Sequence, residues 1–162
     1  MTLRPATNDD VAFILEQEAR EDFADYIFRW DRARHEANLA DSDKEYLIKE
    51  GGGGRPLGYV ILAGLQSPNR SVELVRIAVA APGQGLGRQL LQEVAGRVFD
   101  RHRAHRLWLD VFDDNHRARR AYRTAGFTEE GVIRDAIRSG DGYRSLVLMS
   151  LLENERRQPA DT

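Results

Sequence analysis

Three glycines between an apolar run and an amphipathic segment are the residues that first indicate chemistry in this chain. Gly83, Gly85 and Gly87 follow the run 72–79 and precede leucines and valines at helical spacing. A strand, a glycine turn and a helix in that order direct free backbone N–H groups and the positive end of the helix dipole toward an anion. Glycine lets the backbone approach that anion because no Cβ intervenes. The segment predicts a diphosphate-binding turn; the alternative is a plain helix start.

The glycine spacing excludes two common diphosphate motifs. A dinucleotide-binding G-x-G-x-x-G motif beginning at Gly83 would need glycine where Arg88 stands, and a P-loop would need Gly-Lys-Ser/Thr. The segment 82–87 instead resembles the acetyl-CoA loop of the GNAT superfamily of N-acetyltransferases, Gln/Arg-x-x-Gly-x-Gly/Ala. It departs from that pattern at Pro82, where the family usually has Arg or Gln.

A second segment resembles another motif of the same family, N-x-x-A-x-x-x-Y-x-x-x-G-F. Its anchors in this sequence are Asn115, Ala118, Tyr122, Gly126 and Phe127. Two motifs in the family's order are far more specific than either alone. The chain therefore resembles a GNAT N-acetyltransferase over nearly its whole length.

The resemblance implies a cofactor site for acetyl-CoA. Backbone groups of Ile77, Ala78 and Val79 would pair with the pantetheine amides. The loop residues expected to hold the diphosphate are Gln84, Gly85, Leu86, Gly87 and Arg88. Asn115 would bind the pantetheine arm and also cap a helix. Arg119, with Arg120 beside it, would either meet cofactor phosphates or belong to a charged, solvent-exposed helix face.

Acetyl transfer to an amine requires an acid and a base. In the family pattern the hydroxyl of Tyr122 protonates the departing thiolate; otherwise it is an ordinary half-buried tyrosine. An alkylammonium has a pKa of about 10.4, and only the neutral amine attacks, so a base must remove a proton. Glu73 is the one carboxylate in its apolar run, and partial burial raises a carboxyl pKa toward that use. The alternative is a carboxylate paired with Arg76 or Arg144.

The acceptor is expected, from the resemblance, to meet the segment between the first two helices and the loop between the last two strands. The candidate residues there are Glu21, Asp22, Tyr26 and Tyr143. Acidic and aromatic side chains suit a cationic amine or a basic peptide terminus. The predicted reaction is acetyl transfer to a primary amine (a small amine, a polyamine or a protein N-terminus) by direct attack in a ternary complex. The alternative is a non-catalytic acyl-CoA-binding or sensing module on the same fold.

Composition limits the other function classes. The 162 residues contain no cysteine, which excludes disulfides and a thiol nucleophile, and the net charge of −2 gives no bulk attraction to nucleic acid or membranes. No apolar run reaches the roughly 20 residues of a membrane span. His102 and His105 lack a carboxylate at metal-ligand spacing. We expect a cytoplasmic enzyme, monomeric or homodimeric, without metal.

The elements that position these residues follow from the periodicity of apolar residues. The predicted order is strand, helix, helix, three strands, helix, strand, helix and two strands, in one domain over 1–153 with a polar tail over 154–162. The resemblance implies an α/β GNAT fold, with a central mixed, mostly antiparallel sheet, about four flanking helices and a V-shaped splay for acetyl-CoA. The second helical region is expected over 23–39 and the sixth strand over 127–131. Strand alternation places Glu73 on the face of Val75 and Ile77 unless a bulge intervenes.

Overall fold

The strands and helices follow one another in the predicted order. A computed structural model describes residues 1–156. Its elements are β1 (Thr2–Pro5), α1 (Val11–Glu18), α2 (Arg32–Leu39), β2 (Lys44–Glu50), β3 (Pro56–Ala63), β4 (Ser71–Val79), α3 (Leu86–Gly96), β5 (Arg106–Phe112), α4 (His116–Thr124), β6 (Thr128–Ser139) and β7 (Gly142–Leu152). The strands form one sheet in the order β1-β2-β3-β4-β5-β7-β6. Of the predicted tail, residues 157–162 lie outside the described part of the chain.

The sheet opens between β4 and β5. These strands are parallel, whereas the other neighbouring pairs in the sheet are antiparallel. Their register is limited to Ser71–Arg106, Val72–Leu107 and Glu73–Trp108. Both strands continue beyond these pairs without pairing to each other, so a V-shaped gap separates their carboxyl ends.

Different helices cover the two faces of the sheet. Buried leucines and valines of α3 pack on one face, against residues such as Val60, Leu74 and Leu109. Ile14 of α1 packs on the other face, against residues such as Ile48 and Ile61. Successive strand side chains point to opposite faces, so each central strand supplies apolar residues to both cores. No helix within residues 1–156 is long and apolar enough to cross a membrane.

A β-bulge in β4 decides which of its side chains share a face. Ile61 of β3 pairs with Arg76 and Leu62 pairs with Leu74, so Val75 is the extra residue. Leu74 and Ile77 both contact the core under α3, whereas Val75 contacts the core under α1. Glu73, which alternates with Leu74, shares the face of Val75. Glu73 does not share the face of Ile77, because the bulge, which the prediction gave as its exception, reverses the alternation.

The second helical region is shorter than predicted. A 3-10 turn spans Glu21–Phe23 and α2 begins only at Arg32, so residues 24–31 are irregular. Arg144 donates a hydrogen bond to the carbonyl of Asp25, and Arg76 donates one to the carbonyl of Phe28. A continuous helix would use those carbonyls for its own backbone bonds. Arginine side chains of the sheet therefore compete with a helical backbone for these carbonyls.

The sixth strand is longer than predicted. It runs from Thr128 to Ser139 at the edge of the sheet, and nearly all of its residues are exposed. With neither face buried, the sequence of this strand carries no apolar alternation that would mark its full length.

A buried ion network ties the first two helices to β4. Glu18 accepts hydrogen bonds from Arg76 and from the Tyr59 hydroxyl, and its Oε2 lies 3.0 Å from Nε2 of His35. The Arg76 guanidinium lies 3.7 Å from the ring centroid of Trp30. Burial raises the pKa of Glu18, but the hydrogen bond with His35 and the charge of Arg76 outweigh burial and lower it.

Candidate active site

The glycine turn presents free backbone N–H groups at the start of α3. Gly83 and Gly85 have φ angles of +87° and +76°, in the left-handed region that glycine adopts readily. The N–H of Gln89 donates to the carbonyl of Gly85, and the N–H groups of the preceding turn have no acceptor within the helix. The first turn of α3 contains no acidic residue. This end of the helix is therefore suited to an anion.

Gly87 differs from the other two glycines. Its φ is not positive, and a Cβ built on it meets no atom within 4 Å. Neither backbone conformation nor packing within the described residues requires glycine at this position. A ligand that approaches the backbone closely would explain its presence.

Backbone groups of β4 open onto the gap. The N–H of Ala80 donates to Leu57 of β3 at 2.8 Å. Residues two apart direct their backbone groups to the same side of a strand, so those of Ala78 also face β3. Those of Ile77 and Val79 face the gap, and the Val79 carbonyl accepts a hydrogen bond of 2.7 Å from Arg20. Of the three predicted pantetheine partners, Ala78 directs its backbone groups to β3, and the carbonyl of Val79 is bound by Arg20. The N–H and the carbonyl of Ile77 both point into the gap.

Glu73 lies where the gap begins, opposite Trp108. Burial raises the pKa of its half-buried carboxyl group, and the negative charge of Asp110 raises it further. Within residues 1–156 its carboxylate makes no ion pair, because Arg76 binds Glu18 and Arg144 binds Asp114. The alternative of an arginine partner for Glu73 is therefore not found in the described structure.

Asp110 is a site residue that the sequence motifs do not include. It follows Trp108 by two positions on β5 and therefore shares its face. The carboxylate retains solvent access, yet the walls of the gap partly desolvate it and raise its pKa. Like Glu73, it is the one acid in an apolar strand, and that signal could have identified it.

Tyr122 extends from α4 toward the same gap. Its ring packs against Phe127, with a centroid separation of 5.8 Å. Burial, followed by the negative charge of Asp110, raises the pKa of its hydroxyl to about 12. The hydroxyl therefore stays protonated at neutral pH, as a general acid must. The charge of Asp110 thus acts on both predicted catalytic residues, Glu73 and Tyr122.

The second motif fixes the start of α4. Asn115 caps the helix, because its Oδ1 accepts a hydrogen bond of 3.3 Å from the N–H of Ala118. Arg119 forms two hydrogen bonds to Glu129, of 3.0 and 3.1 Å, and one of 2.6 Å to the carbonyl of Asp113. These internal contacts favour a structural role for Arg119, and its contact with cofactor phosphates stays a prediction.

An aromatic wall borders the gap at the end of β5. The ring of Phe112 lies 6.3 Å from that of Tyr26 and 6.0 Å from that of Phe28. Of the other predicted acceptor residues, Glu21 is exposed, Asp22 pairs with Arg20 at 2.6 Å, and Tyr143 is 62% exposed at the start of β7. Tyr26 is therefore the predicted acceptor residue that the structure brings to the wall.

No group of three or more His, Cys, Asp or Glu side chains in the described residues is arranged to hold a metal ion. His102 instead lies beside Glu45, with 2.7 Å between Nε2 and Oε2. His105 lies beside Glu153, with 3.1 Å between Nδ1 and Oε1.

Comparison with known proteins agrees with this geometry. A model of the acetyltransferase (GNAT) family matches residues 11–127. The chain belongs to the acetyltransferase (GNAT) family. The predicted family, the GNAT fold and the enzyme class, an N-acetyltransferase, are thereby confirmed.

Solved structures of spermidine N-acetyltransferases share the fold of this GNAT protein. The enzyme from Vibrio cholerae in complex with CoA and spermine is 22% identical, with a TM-score of 0.85 over 95% of this chain and 96% of that one. A chimera of the Vibrio cholerae enzyme SpeG with hSSAT is also 22% identical, with a TM-score of 0.86 over the same shares of the two chains. At this identity the likeness concerns the fold.

Proposed function

We propose that this GNAT acetyltransferase transfers the acetyl group of acetyl-CoA to a cationic primary amine by direct attack in a ternary complex. The observation that carries the proposal is the gap between β4 and β5. A carboxylate with a raised pKa, a protonated tyrosine and unpaired strand backbone border this gap, and the glycine turn follows the end of β4. The Vibrio cholerae enzyme of the same fold was solved with CoA and spermine, which supports this choice of ligands.

Acetyl-CoA would bind along β4. The diphosphate would accept hydrogen bonds from the N–H groups at the start of α3, and the pantetheine amides would pair with backbone groups of Ile77 and Val79. Asn115 uses its Oδ1 to cap α4, so its side-chain amide N–H groups would be the donors to the pantetheine arm. The thioester would then lie in the gap, between β4 and Tyr122.

The chemical step would use the two groups with raised pKa values. Glu73 takes a proton from the substrate ammonium, and the freed amine attacks the thioester carbonyl carbon. A C–N bond forms, and a backbone N–H of β4, for which Ile77 is the best placed, stabilises the oxyanion. The C–S bond then breaks, and Tyr122 donates its proton to the thiolate. The adduct nitrogen releases its second proton as the amide forms, and a proton returned through solvent restores the Tyr122 hydroxyl. The chain has no cysteine, so the acetyl group cannot pass through a thioester with a cysteine of the enzyme.

A cationic acceptor suits the charges and rings around the gap. The carboxylates of Glu73 on β4 and Asp110 on β5 border it on one face of the sheet, and the wall of Tyr26, Phe28 and Phe112 lies at the end of β5. Carboxylates attract an ammonium group, and aromatic faces stabilise it by cation–π contact. Polyamines and basic peptide termini both meet this description.

The test is thiol release from acetyl-CoA with a panel of neutral and cationic primary amines. We expect cationic amines to give the higher kcat/KM. Tyr122→Phe should lower kcat by about 100-fold, because the thiolate loses its proton donor, whereas Glu16→Gln, at an exposed position of α1, should keep the wild-type kcat. Equal use of neutral and cationic amines would refute the acceptor class. Tight binding of acetyl-CoA without turnover would favour the binding-module alternative.

A further inference from the structure

Arg144 of β7 contacts three parts of the chain that are distant in sequence. One of its nitrogens donates to the carbonyl of Asp25, and Nη2 donates to Oδ1 of Asp114 at 3.1 Å. Its guanidinium lies 3.6 Å from the ring centroid of Phe112 and 5.6 Å from that of Tyr26. A single side chain therefore joins the segment 24–31, the end of β5 and the turn before α4.

The segment 24–31 depends on such contacts because it lacks regular structure of its own. Its early backbone bonds are local, from the N–H groups of Tyr26 and Ile27 to the carbonyl of Phe23. Within residues 1–156, two arginine side chains of the sheet, those of Arg76 and Arg144, donate hydrogen bonds to carbonyls of this segment. Arg76 is buried with Glu18, whereas the Arg144 side chain keeps 22% exposure at the gap.

Arginine has the geometry that these contacts require. Its planar guanidinium can donate to two acceptors at once while its face stacks on an aromatic ring. A lysine at this position would offer a point charge that reaches one acceptor and stacks poorly. The bond to Asp114 also places Arg144 one residue from Asn115, which caps α4.

We propose that Arg144 is a positioning residue for the acceptor. It holds the aromatic part of the segment 24–31 against Phe112, and through Asp114 it couples this wall to the turn that would receive pantetheine. The inference rests on the proposed function, because the wall matters to catalysis only if an amine binds there. By reciprocity, acetyl-CoA bound at the turn would tighten amine binding, and amine would tighten acetyl-CoA binding.

The test compares Arg144→Met, Arg144→Lys and a control, Arg138→Met. Arg138 is exposed on the neighbouring strand β6, paired with Tyr143 in the ladder. The measurements are hydrogen exchange of the amides of residues 24–31, and KM and kcat for a cationic amine. We expect Arg144→Met to lower amide protection and raise the amine KM, each about tenfold, through loss of charge-assisted hydrogen bonds. The change in kcat should stay below about twofold, because the reacting groups are untouched.

The lysine variant should give intermediate values, and Arg138→Met should match the wild type. Asp114→Asn provides a milder variant if Arg144→Met does not fold, because the Asp114 side chain is 60% exposed. Asp114→Asn should raise the amine KM about threefold, because it weakens one contact of Arg144, the hydrogen bond to residue 114, and leaves the others in place. Wild-type amide protection and wild-type amine KM in Arg144→Met would overturn the inference.

Failure of the proposed function would give a different result. A wild-type protein that acetylates no amine would refute the function, while hydrogen exchange of residues 24–31 would still decide whether Arg144 holds them. An active wild type with an Arg144→Met variant of unchanged KM and protection would refute the positioning role alone.

Discussion

Replacing Gly87 by alanine should stabilise the protein and weaken acetyl-CoA binding. Gly87 has no positive φ, and a Cβ there meets no atom within 4 Å, so alanine fits without strain. Alanine is favoured over glycine by about 1 kcal/mol in a helix interior, and about half of that is expected in the first turn. The free energy of unfolding should therefore rise by about 0.5 kcal/mol, which corresponds to an increase in Tm of about 1–2 °C.

Acetyl-CoA binding should change in the opposite direction. A methyl group at position 87 would stand on the backbone surface that a diphosphate oxygen approaches to about 3 Å. Loss of one hydrogen bond to a charged group costs about 1.5–3 kcal/mol. The Kd for acetyl-CoA should thus rise at least about tenfold.

The assay combines thermal unfolding with calorimetric titration of acetyl-CoA. Gly52→Ala is the matched control, because Gly52 also lacks a positive φ and has no neighbour within 4 Å of a built Cβ, but lies between β2 and β3. The control should keep the wild-type Kd. A Gly87→Ala variant that is more stable and binds acetyl-CoA as tightly as the wild type would refute the diphosphate site.

Two further predictions concern the half-buried carboxylate of Glu73 and the buried carboxylate of Glu18. The raised pKa of Glu73 means that the folded state loses stability as pH rises from the unfolded to the folded pKa. Glu73→Gln should therefore raise Tm at neutral pH, but not at a pH below both the folded and the unfolded pKa of Glu73. It should also abolish the fall in kcat/KM that the wild type shows as pH drops through the raised pKa of Glu73. Glu18→Gln should lower the free energy of unfolding in denaturant titrations by about 3–5 kcal/mol, because Arg76 stays buried without its carboxylate. Since the folded pKa of Glu18 is lowered, this difference should shrink as pH falls through that pKa, and exposed Glu16→Gln should show none.

Two outcomes would contradict these predictions. A Glu73→Gln variant with a wild-type pH profile would exclude Glu73 as the base. A Glu18→Gln variant as stable as Glu16→Gln would show that the buried network does not depend on this carboxylate.

Local signals in the sequence predicted much of the fold and part of the candidate site. Glycines with positive φ mark the turn before α3, and Asn115 caps α4 as its residue type predicts. The order of strands and helices follows from the pattern of apolar residues. The central strands read as apolar runs because both of their faces are buried. Each of these features depends on residues that are close together in the chain.

The features that the sequence did not predict depend on distant contacts. Residues 24–31 are irregular because arginines of β4 and β7 bind their carbonyls. The face of Ile77 is set by a bulge that appears only in the register between β3 and β4. Asp110 enters the site because β5 lies beside β4, and its charge raises the pKa of Glu73 across that pairing.

In the proposed reaction a primary amine attacks acetyl-CoA bound in the gap. The most direct measurement quantifies free thiol and N-acetylated amine together, by thiol titration and mass spectrometry, in reactions of the wild type with acetyl-CoA and a polyamine. Direct transfer should give one acetylated amine for each thiol released, and little thiol release when the amine is omitted. Thiol release without acetylated amine, or acetyl-CoA binding without either product, would contradict it.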